Sequence, residues 1–209
     1  MVYLMHSNDN NSAWIADLQF ARRTPKTHAL TELISTHLEA PFFGELRTNQ
    51  QLGYIVTSFG NIKDKVLGLS MIVQSDQHPP EEVSKRAFAF IDQMIEGLKQ
   101  LTDDEFKLYQ ESIVKKFLEK DKTFEAKLGT LYTEAITLEG QFAYNKLVAD
   151  EVAKISKTEF IKEFKKSFET QQESSLAIYL YAKGLKSNSF RGTEIKDAQS
   201  FKKTAKKYE

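Results

Sequence analysis

Four histidines, His6, His28, His37 and His78, are the imidazoles that this 209-residue chain can offer to a metal ion or a proton transfer. Zinc needs donors that converge at ~2.0–2.2 Å, and spacings such as H-x-x-E-H or H-E-x-x-H achieve this by placing two histidines on one helix face. His78-Pro79-Pro80-Glu81-Glu82 comes nearest, but its last position is Glu and its prolines oppose a continuous helix. His28 and His37 stand nine residues apart, on different sides of a helix, and His6 reads as a strand or edge residue. No G-x-S-x-G elbow singles out a serine, and Gly44, Gly53, Gly60 and Gly68 are isolated rather than gathered in a phosphate loop. The chain has no cysteine, which removes thiol nucleophiles, Cys-zinc sites and iron–sulfur clusters. No self-sufficient catalytic centre is legible.

A different chemistry is offered by the run Pro41-Phe42-Phe43-Gly44-Glu45-Leu46-Arg47-Thr48-Asn49-Gln50-Gln51-Leu52-Gly53-Tyr54-Ile55-Val56. Arg47 and Tyr54 are seven positions apart, across a helix-to-strand turn that Gly53 would permit. A guanidinium is a permanent planar donor suited to peptide carbonyls or a carboxylate. A tyrosine hydroxyl can donate to an oxygen on which negative charge develops. The same residues admit a plainer reading, in which Arg47 pairs locally, Tyr54 is a strand aromatic and Phe43 is core.

The elements that must position this run follow from periodicity. Val2 to His6 is a short apolar strand, and Trp14, Ala16, Leu18 and Phe20 alternate with polar residues as in a half-buried strand. Arg22 to Thr27, containing Pro25, reads as a connection. Leu30, Leu33, Ile34 and Leu38 have helical spacing, and Pro41 predicts a break before a second short helix. A strand then runs to about Phe59, Gly60 to Lys65 is a hairpin turn, and Val66 to Gln74 is a strand apolar on both faces, as a central strand would be. Pro79-Pro80-Glu81-Glu82 opens a helix with a stripe from Val83 to Leu101. Thr102/Glu105 and Ser156/Glu159 are capping boxes for further helices, with others at about Phe124–Leu138 and Phe142–Ala149. Leu176 to Ala182 is a last strand. Hairpin strands followed by a block of helices predict an α+β fold, an antiparallel sheet with helices packed on one face. Residues 2–183 form a single domain in this reading, and 184–209 a polar, Lys-rich tail with Ile195 and Phe201 as scattered anchors.

Composition narrows the partners. With 29 basic and 29 acidic residues the formal charge is zero, which argues against a dedicated nucleic-acid binder. The runs Lys115-Lys116, Lys162 to Lys166 and Lys202 to Lys207 read as solvated helix faces or tail. No apolar run approaches the ~18 residues of a membrane span, and the first residues lack the pattern of a signal peptide. A Cys-free chain suits either the cytoplasm or the periplasm.

The run from Pro41 to Val56 resembles a signature in the C-terminal half of the pitrilysin and insulin-degrading-enzyme family of zinc metallopeptidases, approximately P-x-F-x-x-L-R-T-x-x-Q-L-G-Y-x-V. Pro41, Phe43, Leu46, Arg47, Thr48, Gln51, Leu52, Gly53, Tyr54 and Val56 match it without a gap. The resemblance implies one of four homologous domains of the LuxS/mitochondrial-processing-peptidase-like fold, arranged as two halves around a chamber. It implies the fourth, non-catalytic domain of a longer chain, with no cofactor of its own. The zinc of the parent, bound by H-x-x-E-H, would lie in the N-terminal half. That half and peptide substrates would be its partners, and the isolated domain would not hydrolyse peptides. By resemblance, Arg47 and Tyr54 reach across the chamber to substrate, Phe43 lines an adjacent hydrophobic pocket, and Gln51, Leu52 and Gly53 shape the turn. A start directly before a strand suits an excised fragment. The alternative is a catalytically inactive homologue that serves as a scaffold or partner subunit.

Overall fold

A computed structural model describes residues 1–63, 65–169, 175–186, 190 and 192–204. Five strands form one sheet: β1 (Val2–His6), β2 (Ser12–Arg22), β3 (Ile55–Lys63), β4 (Val66–Ser75) and β5 (Ser175–Tyr181), in the order β1-β5-β2-β4-β3. The pairs β5/β2, β2/β4 and β4/β3 are antiparallel. β1 lies parallel to β5, so the sheet is antiparallel except at that edge. Thr193 and Ile195 hydrogen-bond to Val2 from its outer side, so this part of the tail is paired backbone. Residues 187–189, 191 and 205–209 of the tail, including Lys206 and Lys207, lie outside the described residues.

Alternation in β2 buries Trp14, Ala16 and Leu18 beside their register partners Val73, Met71 and Leu69 of β4. The helices cover this face. α1 (Pro25–Phe43) and α2 (Pro80–Gly97) pack on it, with Phe88 of α2 edge-on to Trp14 at 5.6 Å. Around them stand α3 (Asp103–Leu118), α4 (Phe124–Tyr132), α5 (Tyr144–Lys154) and α6 (Lys157–Glu169), and a short α7 (Ala198–Thr204) follows β5. α6 inserts Phe160, Phe164 and Phe168, all buried, and Phe168 meets Phe20 of β2 at 6.2 Å. The α+β architecture with helices on one face is as the sequence predicts. Among the described residues no helix is long and apolar enough to cross a membrane.

Three local boundaries differ from the sequence reading. Pro25 begins α1 rather than interrupting a connection, because Thr24 caps the helix: its hydroxyl accepts from Thr27 N–H while Thr27 Oγ1 accepts from Thr24 N–H. α1 does not break at Pro41 but runs through it to Phe43 and continues as a π-helical turn over Gly44–Asn49. Proline removes one helical hydrogen bond there, and burial of Phe42 and Leu46, both 0% exposed, holds the segment in place. The hairpin is also tighter than expected. Gly60 to Lys63 belong to β3 and pair with Leu69 to Val66, and of the described residues only Lys65 is left to the turn.

Candidate functional site

The site is built where α1 runs out. After Pro41 the chain adopts wider spacing: Gln50 N–H donates to the Glu45 carbonyl at 2.9 Å and Leu52 N–H to the Leu46 carbonyl at 2.9 Å. Single π-turns of this kind are frequent at functional sites. The Glu45 side chain ties the turn together, accepting from Asn49 Nδ2 at 2.7 Å and Gln50 Nε2 at 3.0 Å. Those two donors hold its carboxyl below the usual range. Glu45 is the positioning residue that the sequence reading missed. The signal was an amide, Asn49, four places after a carboxylate, which is helix-face spacing; Gln50, five places on, meets Glu45 only because the turn is π-helical.

Leu46 and Leu52 are fully buried and anchor both sides of the turn, and Gln51 between them takes a left-handed φ of 52°. Gly53 was expected to supply the turn's conformational freedom, but its φ is not left-handed. It is required by proximity: a Cβ on Gly53 would sit 1.8 Å from the backbone oxygen of Gln74 at the end of β4. The turn thus presses against the sheet before the chain enters β3.

This geometry brings the three sequence-predicted residues together. The Arg47 guanidinium stacks over two rings, its central carbon 5.0 Å from the centroid of Phe43 and 4.8 Å from that of Tyr54. Among the described residues Arg47 makes no ion pair, and its guanidinium is held instead by the two rings through cation–π contact. Tyr54 is 82% exposed and Phe43 40% exposed. Both rings are therefore open to a ligand, unlike Trp14, Phe42 and Phe160, which are buried. Beside them lies a groove of about 450 Å³ between α1 and β3, lined by Phe43 with Thr36, Glu39, Ala40, Val56 and Thr57.

The histidines do not converge. His6 is exposed and stacks on Tyr181. His28 and His37, expected on different sides of α1, both reach rings of α3, at Phe117 and Tyr109 respectively. His78 lies in the loop before α2, its N–H donating to Ser75 Oγ. Among the described residues no three His, Asp or Glu side chains gather as a metal site, so the donors present here do not fit zinc.

A family model described as PQQ synthase PqqF-like, C-terminal lobe domain 4, matches residues 33–132, which include the whole turn. A nardilysin-like protein of Arabidopsis thaliana is 27% identical over 194 residues, covering 89% of this chain and 19% of the relative. Insulin-degrading enzyme of Drosophila melanogaster is 33% identical over 149 residues, covering 71% of this chain and 15% of the enzyme. The crystal structure of pitrilysin shares the fold, with a TM-score of 0.79 and 18% identity over 97% of this chain and 22% of that one. The chain spans less than one fifth of the length of either curated relative.

Proposed function

The chain belongs to the pitrilysin and insulin-degrading-enzyme family of metallopeptidases, and from that premise we propose that it is the fourth, non-catalytic domain of a longer zinc endopeptidase. In this reading it closes the substrate chamber and presents Arg47, Tyr54 and Phe43 to a peptide held at a zinc site in the N-terminal half of the parent.

The observation that carries the reading is the Phe43–Arg47–Tyr54 stack, its charged head in no ion pair among the described residues and its tyrosine in solvent. Each group has a role that its chemistry supports. Arg47 donates through its planar edge to substrate carbonyls, already oriented by the rings on either side. Tyr54 donates its hydroxyl to the carbonyl oxygen that gains charge when the peptide bond is attacked. Phe43 offers an apolar wall to a substrate side chain entering the groove between α1 and β3. Glu45 holds the turn on which Arg47 stands.

The test is Tyr54→Phe in the intact parent. The ring, and hence the stack on Arg47, is kept while the hydroxyl is lost. The expected result is a fall in kcat of ~10²-fold with little change in KM. An unchanged kcat returns Tyr54 to a structural role. A parent that hydrolyses no peptide at all supports the scaffold or partner-subunit reading instead.

A further inference from the structure

The two edges of the sheet are finished differently. Along β1 the outer side is occupied, since Val2 bonds to Thr193 and Ile195 of the tail. β3, the other edge, pairs with β4 alone. A bare edge invites a further strand, and proteins ordinarily blunt it with charge, proline or a bulge. From Ile55 to Ile62 β3 has neither charge nor proline, and its register with β4 runs without a shift.

Which backbone groups face outward follows from one contact. Gly60 N–H donates to Ser35 Oγ of α1 at 2.7 Å, so it points away from β4. Antiparallel partners alternate between bonded and unbonded pairs, so Val56 and Ser58 point the same way as Gly60, while Ile55, Thr57 and Phe59 face β4. Among the described residues nothing bonds to the outward N–H and C=O of Val56 and Ser58, and the Ser58 hydroxyl has no partner either. Yet the two residues are only 4% and 1% exposed. Polar groups at such depth are paired in folded proteins, because leaving them unmet is costly. The way in is the groove of about 450 Å³ between α1 and β3, which Val56, Thr57 and Ser58 all line. Successive strand side chains point to opposite faces, so three consecutive residues share a groove only where it runs along the strand's edge.

We propose that an extended segment of the peptide substrate pairs with the outer edge of β3 as an added strand. This rests on the reading of the chain as the domain that presents Arg47 and Tyr54 to a peptide. The occupant is identified by continuity. Phe43, which lines the groove, is also a ring on which Arg47 stacks, and Tyr54 directly precedes β3. A peptide whose carbonyl is held by Arg47 therefore runs on along the β3 edge. Because Ser35 already occupies the Gly60 N–H, pairing is confined to Val56 and Ser58, each of which can exchange an N–H and a C=O bond with the peptide. Main-chain bonds of this kind select for an extended backbone rather than for a sequence. The substrate class is thus a segment free to extend, with no proline at the paired positions.

The test uses the intact parent and a peptide that it cleaves, with the scissile amide replaced by a reduced –CH2–NH– bond so that the peptide stays whole. Residue-resolved hydrogen exchange should show the Val56 and Ser58 amides slowed at least ~10-fold by the peptide, while Gly60, already bonded to Ser35, changes little. Ala40→Trp enlarges an exposed groove residue, fills the path of the strand, and should remove that protection and weaken peptide binding by ~10-fold or more. Amides that the peptide leaves unchanged overturn the proposal, as do protection and affinity that survive Ala40→Trp. Protection already complete without peptide overturns it as well: a strand of the parent then covers the edge, or a second copy does if dilution removes the effect. Protection together with a kcat unaffected by Tyr54→Phe keeps the added strand and removes the catalytic reading of Tyr54. No protection, with kcat lowered by Tyr54→Phe, keeps that reading and removes the strand. A parent that cleaves no peptide overturns both.

Discussion

The guanidinium carbon of Arg47 lies 4.8 Å from the centre of the Tyr54 ring, although Arg47 stands in the π-helical turn, Tyr54 directly before β3, and the left-handed Gln51 between them. The turn over residues 44–53 is what closes that distance. Its π spacing, its buried leucines and its contact with β4 all serve to fold Tyr54 back over the residue seven places earlier.

If the stack orients Arg47 for substrate, the two residues act as one unit. Arg47→Ala and Tyr54→Leu, made singly and together in the intact parent, should then show non-additive losses in kcat/KM. The expected coupling is about 0.5–1 kcal/mol, the range of a partly exposed cation–π contact. Losses that simply add would mean that the ring does nothing for the guanidinium.

Much of this site is legible in the residues, and the reason is local. Amphipathic spacing in α1, alternation in β2 and the ungapped match from Pro41 to Val56 all depend on near neighbours in sequence. What the sequence hides depends on distant partners. Pro41 carries every local signal of a helix stop, yet burial of Phe42 and Leu46 outweighs it. The parallel pairing of β1 with β5 joins residues about 175 places apart, beyond the reach of periodicity. The helix expected from about Phe124 forms as α4, but that none of its residues is buried is a matter of tertiary packing, which local spacing does not carry.

Neighbouring positions of the turn should respond to glycine chemistry with opposite signs. Gly53→Ala drives a methyl group into the Gln74 carbonyl, a backbone atom that cannot step aside, and should destabilise the domain by about 1–3 kcal/mol or more. Gln51→Gly relieves a left-handed side-chain residue and should be neutral or stabilising by up to about 1 kcal/mol. Urea midpoints of the two variants decide it. If Gly53→Ala is tolerated, the close approach of turn to sheet is wrong.

The α1 cap gives a third prediction. Thr24→Ala leaves the Thr27 N–H without its acceptor and should lower stability by about 1 kcal/mol. Thr27→Ala should cost at least as much, because its hydroxyl also donates to the Arg22 carbonyl at 2.7 Å. Since α1 carries Phe43 at its far end, thermal unfolding followed by far-ultraviolet circular dichroism should remain a single shifted transition. A separate early phase confined to α1 would contradict the packing of this helix across the sheet.

His37 sets a pH dependence whose sign can be worked out. Its ring packs against Tyr109, Phe160 and Phe164 with centroids 5.2, 5.6 and 5.8 Å away, and its Nδ1 is buried with no hydrogen-bond partner among the described residues. Burial disfavours the imidazolium and holds its pKa below the usual histidine value, with the Glu105 carboxylate opposing more weakly. The unfolded chain, with an ordinary pKa of about 6.5, therefore binds a proton that the folded chain refuses. The stabilising contribution is complete above about pH 7 and is lost as pH falls through about 6.5 towards the depressed folded pKa, with a slope of at most about 1.4 kcal/mol per pH unit. Urea midpoints between pH 7.5 and 5.5, above the range where carboxylates titrate, should fall in the wild type and fall less steeply in His37→Leu. Equal slopes in the two proteins would mean that His37 takes up its proton inside the fold, and the aromatic enclosure would then be open to water.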